Sequence, residues 1–162
     1  MTQKFYMQQN VFQLTNQFSI KNELGQDSYF VDSELFSISQ KHHLLNYQRA
    51  CLYSVERKLF TILPTYYVNN TNNRTLLTIV KECSCTGQEL TITGSKNWKV
   101  MGFYSAHEFQ IIEDGQIIAA VKKAWFTWGE SFEIEVQSGQ AELVIATVVA
   151  IHQAMHRRSS HF

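Results

Sequence analysis

Residues 132–136 read Phe-Glu-Ile-Glu-Val. Phe132, Ile134 and Val136 fall on one side of an extended chain, Glu133 and Glu135 on the other. That is the period-two pattern of a half-buried strand. The same alternation recurs in FSIK (18–21), YYV (66–68), ELTIT (89–93) and EFQII (108–112). Further extended runs precede these by a short connection: SYFVDSELF (28–36), CLYSVERKLF (51–60), TLLTIVKEC (75–83) and IIAAVKKAWF (117–126). A bulky residue closes each leading run. Taking Phe12, Phe36, Phe60, Cys83, Phe103 and Phe126 as anchors gives steps of 24, 24, 23, 20 and 23 residues, an internal repeat of six units. Cys83 departs from the pattern, since the repeat prefers a bulky apolar residue there.

Each unit therefore predicts two strands. The anchors and their following partners should share one core. Phe18, Ile20, Leu44, Tyr66, Val68, Leu90, Ile92, Phe109, Ile111, Phe132, Ile134 and Val136 are expected to point inward. NELGQ (22–26), GSKN (94–97) and EDGQ (113–116) link successive units, and Asp114-Gly115 between alternating runs signals a type I′ hairpin. Short links favour antiparallel neighbours. The fold expected is mainly β: a closed antiparallel barrel of about twelve strands, since a sheet that wide curls or splits when left open and closure removes its edges. At ~4.8 Å spacing and ~40° tilt its ring is roughly 24 Å across, too wide for strand side chains alone to fill.

The segment AELVIATVVAIHQAM (141–155) supplies the filling. Only Glu142, Thr147, His152 and Gln153 are polar, and an apolar pattern nearly all round marks a buried helix. A plug helix over about 139–157 is predicted, capped by Ser138 or Gly139, with Glu142 in its first turn and Arg157 and Arg158 at its end. A thirteenth strand or a membrane anchor are the competing readings of this run.

At 162 residues, with 44% hydrophobic and 17% charged residues, one globular domain spanning 1–162 is expected. Fourteen basic residues balance fourteen acidic ones, which argues against a nucleic-acid partner. Three cysteines make no disulfide framework, and MTQKFYMQQN lacks the apolar run of a signal peptide. The expected location is cytoplasmic, extending to the inner membrane surface. The sequons at Asn69 and Asn73 then read as an Asn-rich turn.

The stretches KLFTILPTYYV (58–68) and KKAWFTWGESFEIEV (122–136), with the apolar C-terminal helix, resemble the LURP-one-related family in its bacterial, single-domain form. That family groups with tubby C-terminal domains and phospholipid scramblases. The resemblance implies a closed twelve-stranded barrel around a hydrophobic central helix. Tubby domains bind phosphoinositides through basic surface residues, and scramblases move lipids in response to calcium. The chain has no D-x-[DN]-x-[DN]-G calcium loop, and neither residue set maps onto it.

Candidate chemistry is sparse. Arg57-Lys58 and Lys122-Lys123 hold equivalent places in the third and sixth units, and Lys81 ends the matching strand of the fourth. Units three apart lie across the ring, so only Arg57, Lys58 and Lys81 are placed to form one basic rim for anionic headgroups; strand-end solvation is the plainer alternative. Cys83 and Cys85 are expected to be buried small hydrophobes rather than metal thiolates. His152 and His156, one helical turn apart, lack an HExxH motif. His42 should point inward with a bonded nitrogen and His43 outward. Neither His42 nor His107 accompanies a nucleophile motif. Of Glu130, Glu133 and Glu135, the last two should lie on a solvated outer face. Trp125 and Trp128 are expected in the core, and 159–162 as a frayed tail.

The function expected is a non-enzymatic binding module with no cofactor or metal, taking an anionic phospholipid headgroup or membrane surface at Arg57, Lys58 and Lys81. A protein-interaction barrel without a small-molecule ligand is the alternative, and scramblase-like lipid translocation the second.

Overall fold

The computed structural model describes residues 1–8, 17–34, 36–85, 87–103, 108–126, 129–137 and 139–156. Phe12, His107, Trp128, Ser138, Arg157, Arg158 and the tail 159–162 lie outside them, as do the side chains of Phe103, Phe126, Glu130 and His156. Twelve strands form among the described residues: β1 Thr2–Gln8, β2 Gln17–Asn22, β3 Asp27–Ser33, β4 His42–Asn46, β5 Cys51–Arg57, β6 Thr65–Asn69, β7 Thr75–Ser84, β8 Gly87–Gly94, β9 Trp98–Phe103, β10 Glu108–Glu113, β11 Gln116–Phe126 and β12 Gly129–Gln137. Helix α1, Ala141–His156, follows.

All ladders are antiparallel, in the order β8-β7-β6-β5-β4-β3-β2-β1-β12-β11-β10-β9. The first strand pairs with the last, Thr2 with Gln137 through Gln8 with Ser131. The barrel is nearly closed. Its ends, β8 and β9, stand side by side across a seam without a ladder.

The twelve predicted inward residues are all buried. Inside them lies α1, with Val144, Ile145, Val148, Val149 and Ile151 enclosed. The thirteenth-strand reading is thus replaced by a helix. Among the described residues no helix is long and apolar enough to cross a membrane.

The anchors whose side chains are described, Phe36, Phe60 and Cys83, do not share that core. Phe36 and Phe60 are 96% and 104% exposed, and Cys83 and Cys85 are exposed too. They stand at the rim, where the chain leaves the sheet. Phe60 also has a positive φ of 58°, which takes it out of any strand. Trp125, expected inside, is 78% exposed near the end of β11. Sequence repetition marked equivalent positions, and at Phe36, Phe60 and Cys83 those positions are tips of the fold.

The strand ends joined within each pair gather at one end of the barrel, the loop end. The links between pairs gather at the other, the turn end. Asp114 and Gly115 both take positive φ, 49° and 81°, as a type I′ turn requires. Three other links share a design that the Phe-based repeat did not reveal. Asn22, Asn46 and Asn70, 24 residues apart, each accept backbone N–H groups on Oδ1 from two and four residues ahead. The residue three ahead (Gly25, Arg49 or Asn73) is left-handed. A one-residue register shift flanks each turn, between Ile20/Lys21, Leu44/Leu45 and Val68/Asn69, with the extra residue (Ser28, Leu52 or Leu76) on the strand that follows. These bulges raise local twist and help curl the sheet.

Candidate functional site

The loop end carries the predicted basic residues. Arg57 closes β5 opposite Tyr66 of β6. The Lys58 and Lys81 amides bond the Thr65 and Pro64 carbonyls, so these two residues flank the start of β6. Their side chains are used differently. Burial pushes the Tyr66 phenol up, and the Arg57 guanidinium offsets part of that. Lys58 Nζ stands 5.6 Å from the Tyr67 ring centroid. Lys81 Nζ reaches inward and donates to the Ala154 carbonyl at 3.1 Å. A cation at a helix C-terminus meets the negative end of its dipole, so Lys81 fastens the plug. Lys122 on β11 is six strands from β5, the strand of Arg57, and is held at 3.2 Å from Glu133.

Beside Arg57 and Lys58 two loops project apolar side chains. Phe36 and Ile38 stand on the β3–β4 loop, and Phe60 and Ile62 on the β5–β6 loop. Ile38 is 83% exposed and Ile62 101%. A hydrogen bond from the Arg57 amide to the Ser39 carbonyl, 3.0 Å, ties the loops together. Four large apolar side chains with almost no protein contact, next to cations, form a patch that water solvates poorly.

The turn end holds an open cleft of about 540 Å³, lined by Gln3, Tyr29, Tyr53, Lys96, Gln140 and the first turn of α1. Burial pushes the Tyr29 and Tyr53 phenols up, and the neighbouring Glu142 charge adds to it. Gln140 accepts the Val144 amide on its carbonyl, as an N-cap does, and its Nε2 donates to Glu113. Glu113 also accepts the Trp98 indole N–H at 3.0 Å. The plug helix expected from the sequence fills the ring, yet this cleft stays open beside its first turn. The lining comes from β1, β3, β5, the 94–97 link and α1, and no local pattern encodes that convergence. Tyr at both 29 and 53, one repeat apart, was the available signal.

His42 points inward, and its Nδ1 shares a 2.6 Å hydrogen bond with Ser33 Oγ. Burial, with the His43 charge adding, lowers its pKa from 6.5 to about 4. Such a group is a poor general base. It does predict a pH dependence. As pH falls below 6.5 the unfolded chain takes up a proton that the folded chain refuses until about 4. Stability is full above that window and declines through it, by on the order of 3 kcal/mol from this residue. Urea unfolding midpoints should fall between these pH values, and His42→Phe should flatten that part of the profile relative to wild type.

Glu133 lies on the outer face, but it is buried rather than solvated. Burial opposes its charge, yet Lys122 and Lys4 outweigh that and hold its carboxyl below the usual range. Tyr6 donates to it at 3.2 Å. It is a cross-strand tie among β1, β12 and β11. His152 is enclosed against Phe132, ring centroids 5.4 Å apart. Among the described residues no three His, Cys, Asp or Glu side chains form a metal-binding group.

A family model described as LURP-one-related matches residues 3–153. The uncharacterized protein YxjI of Bacillus subtilis strain 168 is 25% identical over 148 residues, covering 91% of this chain and 90% of that one. The X-ray structure of a protein from Arabidopsis thaliana superposes with a TM-score of 0.66 at 14% identity, covering 96% of this chain and 92% of that one. The structural likeness concerns the fold.

Proposed function

The chain belongs to the LURP-one-related family, and from that premise we propose that it is a non-enzymatic binding module whose loop end docks on anionic phospholipid surfaces. The observation that carries this reading is the patch of Phe36, Ile38, Phe60 and Ile62 beside Arg57 and Lys58. Anionic headgroups attract each nearby cation by about 1 kcal/mol, and the effect fades within a Debye length. Apolar tips that enter the headgroup region add a salt-insensitive part. Lys81 belongs to the same rim, but reversing its charge would also unfasten α1.

Co-sedimentation with phosphatidylcholine vesicles, with and without a phosphoinositide, tests the proposal. Wild type should bind the anionic vesicles and weaken as salt rises. Arg57→Glu with Lys58→Glu should cost on the order of 30-fold in affinity. Phe36→Ser with Phe60→Ser should lose the salt-resistant remainder. Lys122→Glu with Lys123→Glu, across the ring, should leave binding nearly intact. Lys96→Glu is the control at the cleft, and an equal loss there would move the ligand to the turn end. Absence of wild-type binding would leave a protein-docking barrel as the better reading.

A further inference from the structure

A cluster on the outer wall shares no residue with the loop-end patch or the turn-end cleft. Cys51 Sγ lies 3.8 Å from His43 Nδ1, and His43 Nε2 lies 2.8 Å from Glu34 Oε1. The three residues come from neighbouring parts of the fold: the residue that follows β3, β4, and the first position of β5. The register places them there. Leu44 faces Tyr53, but Leu45 faces Cys51, with Leu52 as the extra residue of a bulge. In an unbroken strand Cys51 would share the inward side of Tyr53 and Val55. The bulge turns it outward, onto the face of His43 and Leu45. The thiol is exposed.

We propose that Cys51 is a thiol-modification site that takes small disulfides, with His43 as its base and Glu34 as the group that positions His43. A thiol, a base within reach and a third group fixing the base are what nucleophile activation requires. The thiol proton, which the Tyr53 carbonyl accepts at 3.7 Å in the resting site, passes to His43 Nδ1. The Cys51 sulfur then attacks one sulfur of the small disulfide. The Sγ–S bond forms as the S–S bond breaks, and the departing thiolate takes the proton back from His43. Cys51 is oxidised to a mixed disulfide and one thiol is released, so the step is stoichiometric and needs no other reactant.

Burial raises the Cys51 pKa, and the Lys41 charge only partly opposes this. The resting group is therefore a protonated thiol, and its reactivity depends on proton removal by His43 during attack. Cys83 and Cys85 are also exposed, which makes them references within the same molecule. Among the described residues, Cys51 is the cysteine with a histidine in hydrogen-bond reach.

The experiment exposes the folded full chain to glutathione disulfide and follows the initial loss of each free thiol by peptide mass spectrometry. Cys51 should react at least about tenfold faster than Cys83 or Cys85. His43→Asn should bring Cys51 down to the rate of the other two without changing theirs. Glu34→Gln should give an intermediate rate, and Glu34→Asp should restore most of it. A variant that merely loosened the fold would speed all three cysteines, a result that overturns the assigned roles. So would a Cys51 rate no higher than that of Cys83, or one that His43→Asn leaves unchanged.

Discussion

Ending the chain after Gly139 should abolish cooperative unfolding. The shortened protein loses Val144, Ile145, Val148, Val149 and Ile151, all fully enclosed in the full chain. At ~1.5–3 kcal/mol per buried branched side chain, these five represent roughly 10 kcal/mol. That equals the whole stability of an ordinary domain, about 5–15 kcal/mol. The loss is compounded by what remains. Tyr66, Phe132, Ile79, Ile111 and Ile134 line the space the helix fills, and they would face water on the inside of a ring too wide to collapse on itself. The expected signature is loss of near-ultraviolet circular dichroism and of the thermal transition. A soluble truncated chain with an unchanged melting curve would defeat the central-helix architecture. Ile145→Ala should show the same direction in miniature, at about 2–5 kcal/mol.

The second large effect is expected from one methyl group. Gly94 ends β8 with φ of +136°, and an added Cβ would lie 2.1 Å from the Leu76 carbonyl oxygen. That oxygen belongs to the neighbouring strand and accepts the Ser95 amide at 2.8 Å. Backbone cannot swing aside as a flexible side chain does. Gly94→Ala must therefore push β7 away, break the bond to Ser95, or abandon a backbone conformation that only glycine tolerates. The expected cost is about 3–5 kcal/mol. Gly25 and Gly115 are also left-handed, but an added Cβ meets nothing within 4 Å at either. Alanine there should cost only about 1 kcal/mol. Urea titration of the three variants gives the ranking. Equal midpoints would mean that the close approach of β7 is not rigid.

The sheet was legible because period two is a direct image of its two faces. Ile20, Val68 and Ile134 could be placed inside from alternation alone. The helix was legible for the same reason, since a run with no polar face has nowhere to go but inside. The rim was not legible. Phe36 and Phe60 recur as regularly as any core residue, yet their repetition reflects loop geometry, and hydrophobicity does not distinguish a buried tip from a presented one. Arg57 and Lys58 of the third unit and Lys81 of the fourth came together around the start of β6, as adjacent units required. Whether a lysine there faces solvent or, like Lys81, a helix carbonyl depends on how deep the helix sits. Cys51 and His43 were separated by a turn and a bulge. The parity of an unbroken strand puts Cys51 on the inside, so one extra residue hides the pairing from any reading of the sequence.

The pairing of β1 with β12 also has a temporal meaning. Thr2–Gln8 is made first and Gly129–Gln137 long afterwards. At the usual 5–20 residues per second, β1 waits roughly 6–25 s on the ribosome for its neighbour. Hairpins such as β5–β6 can close within microseconds of emerging, but they close around a space whose occupant, α1, has not yet been synthesised. The nascent barrel is thus a string of paired strands with apolar inner faces and an open edge at each side. Folding must be completed by the C-terminal fifth of this sequence, and the intervals before that are when Phe5, Met7 and their like are most exposed to the wrong partner.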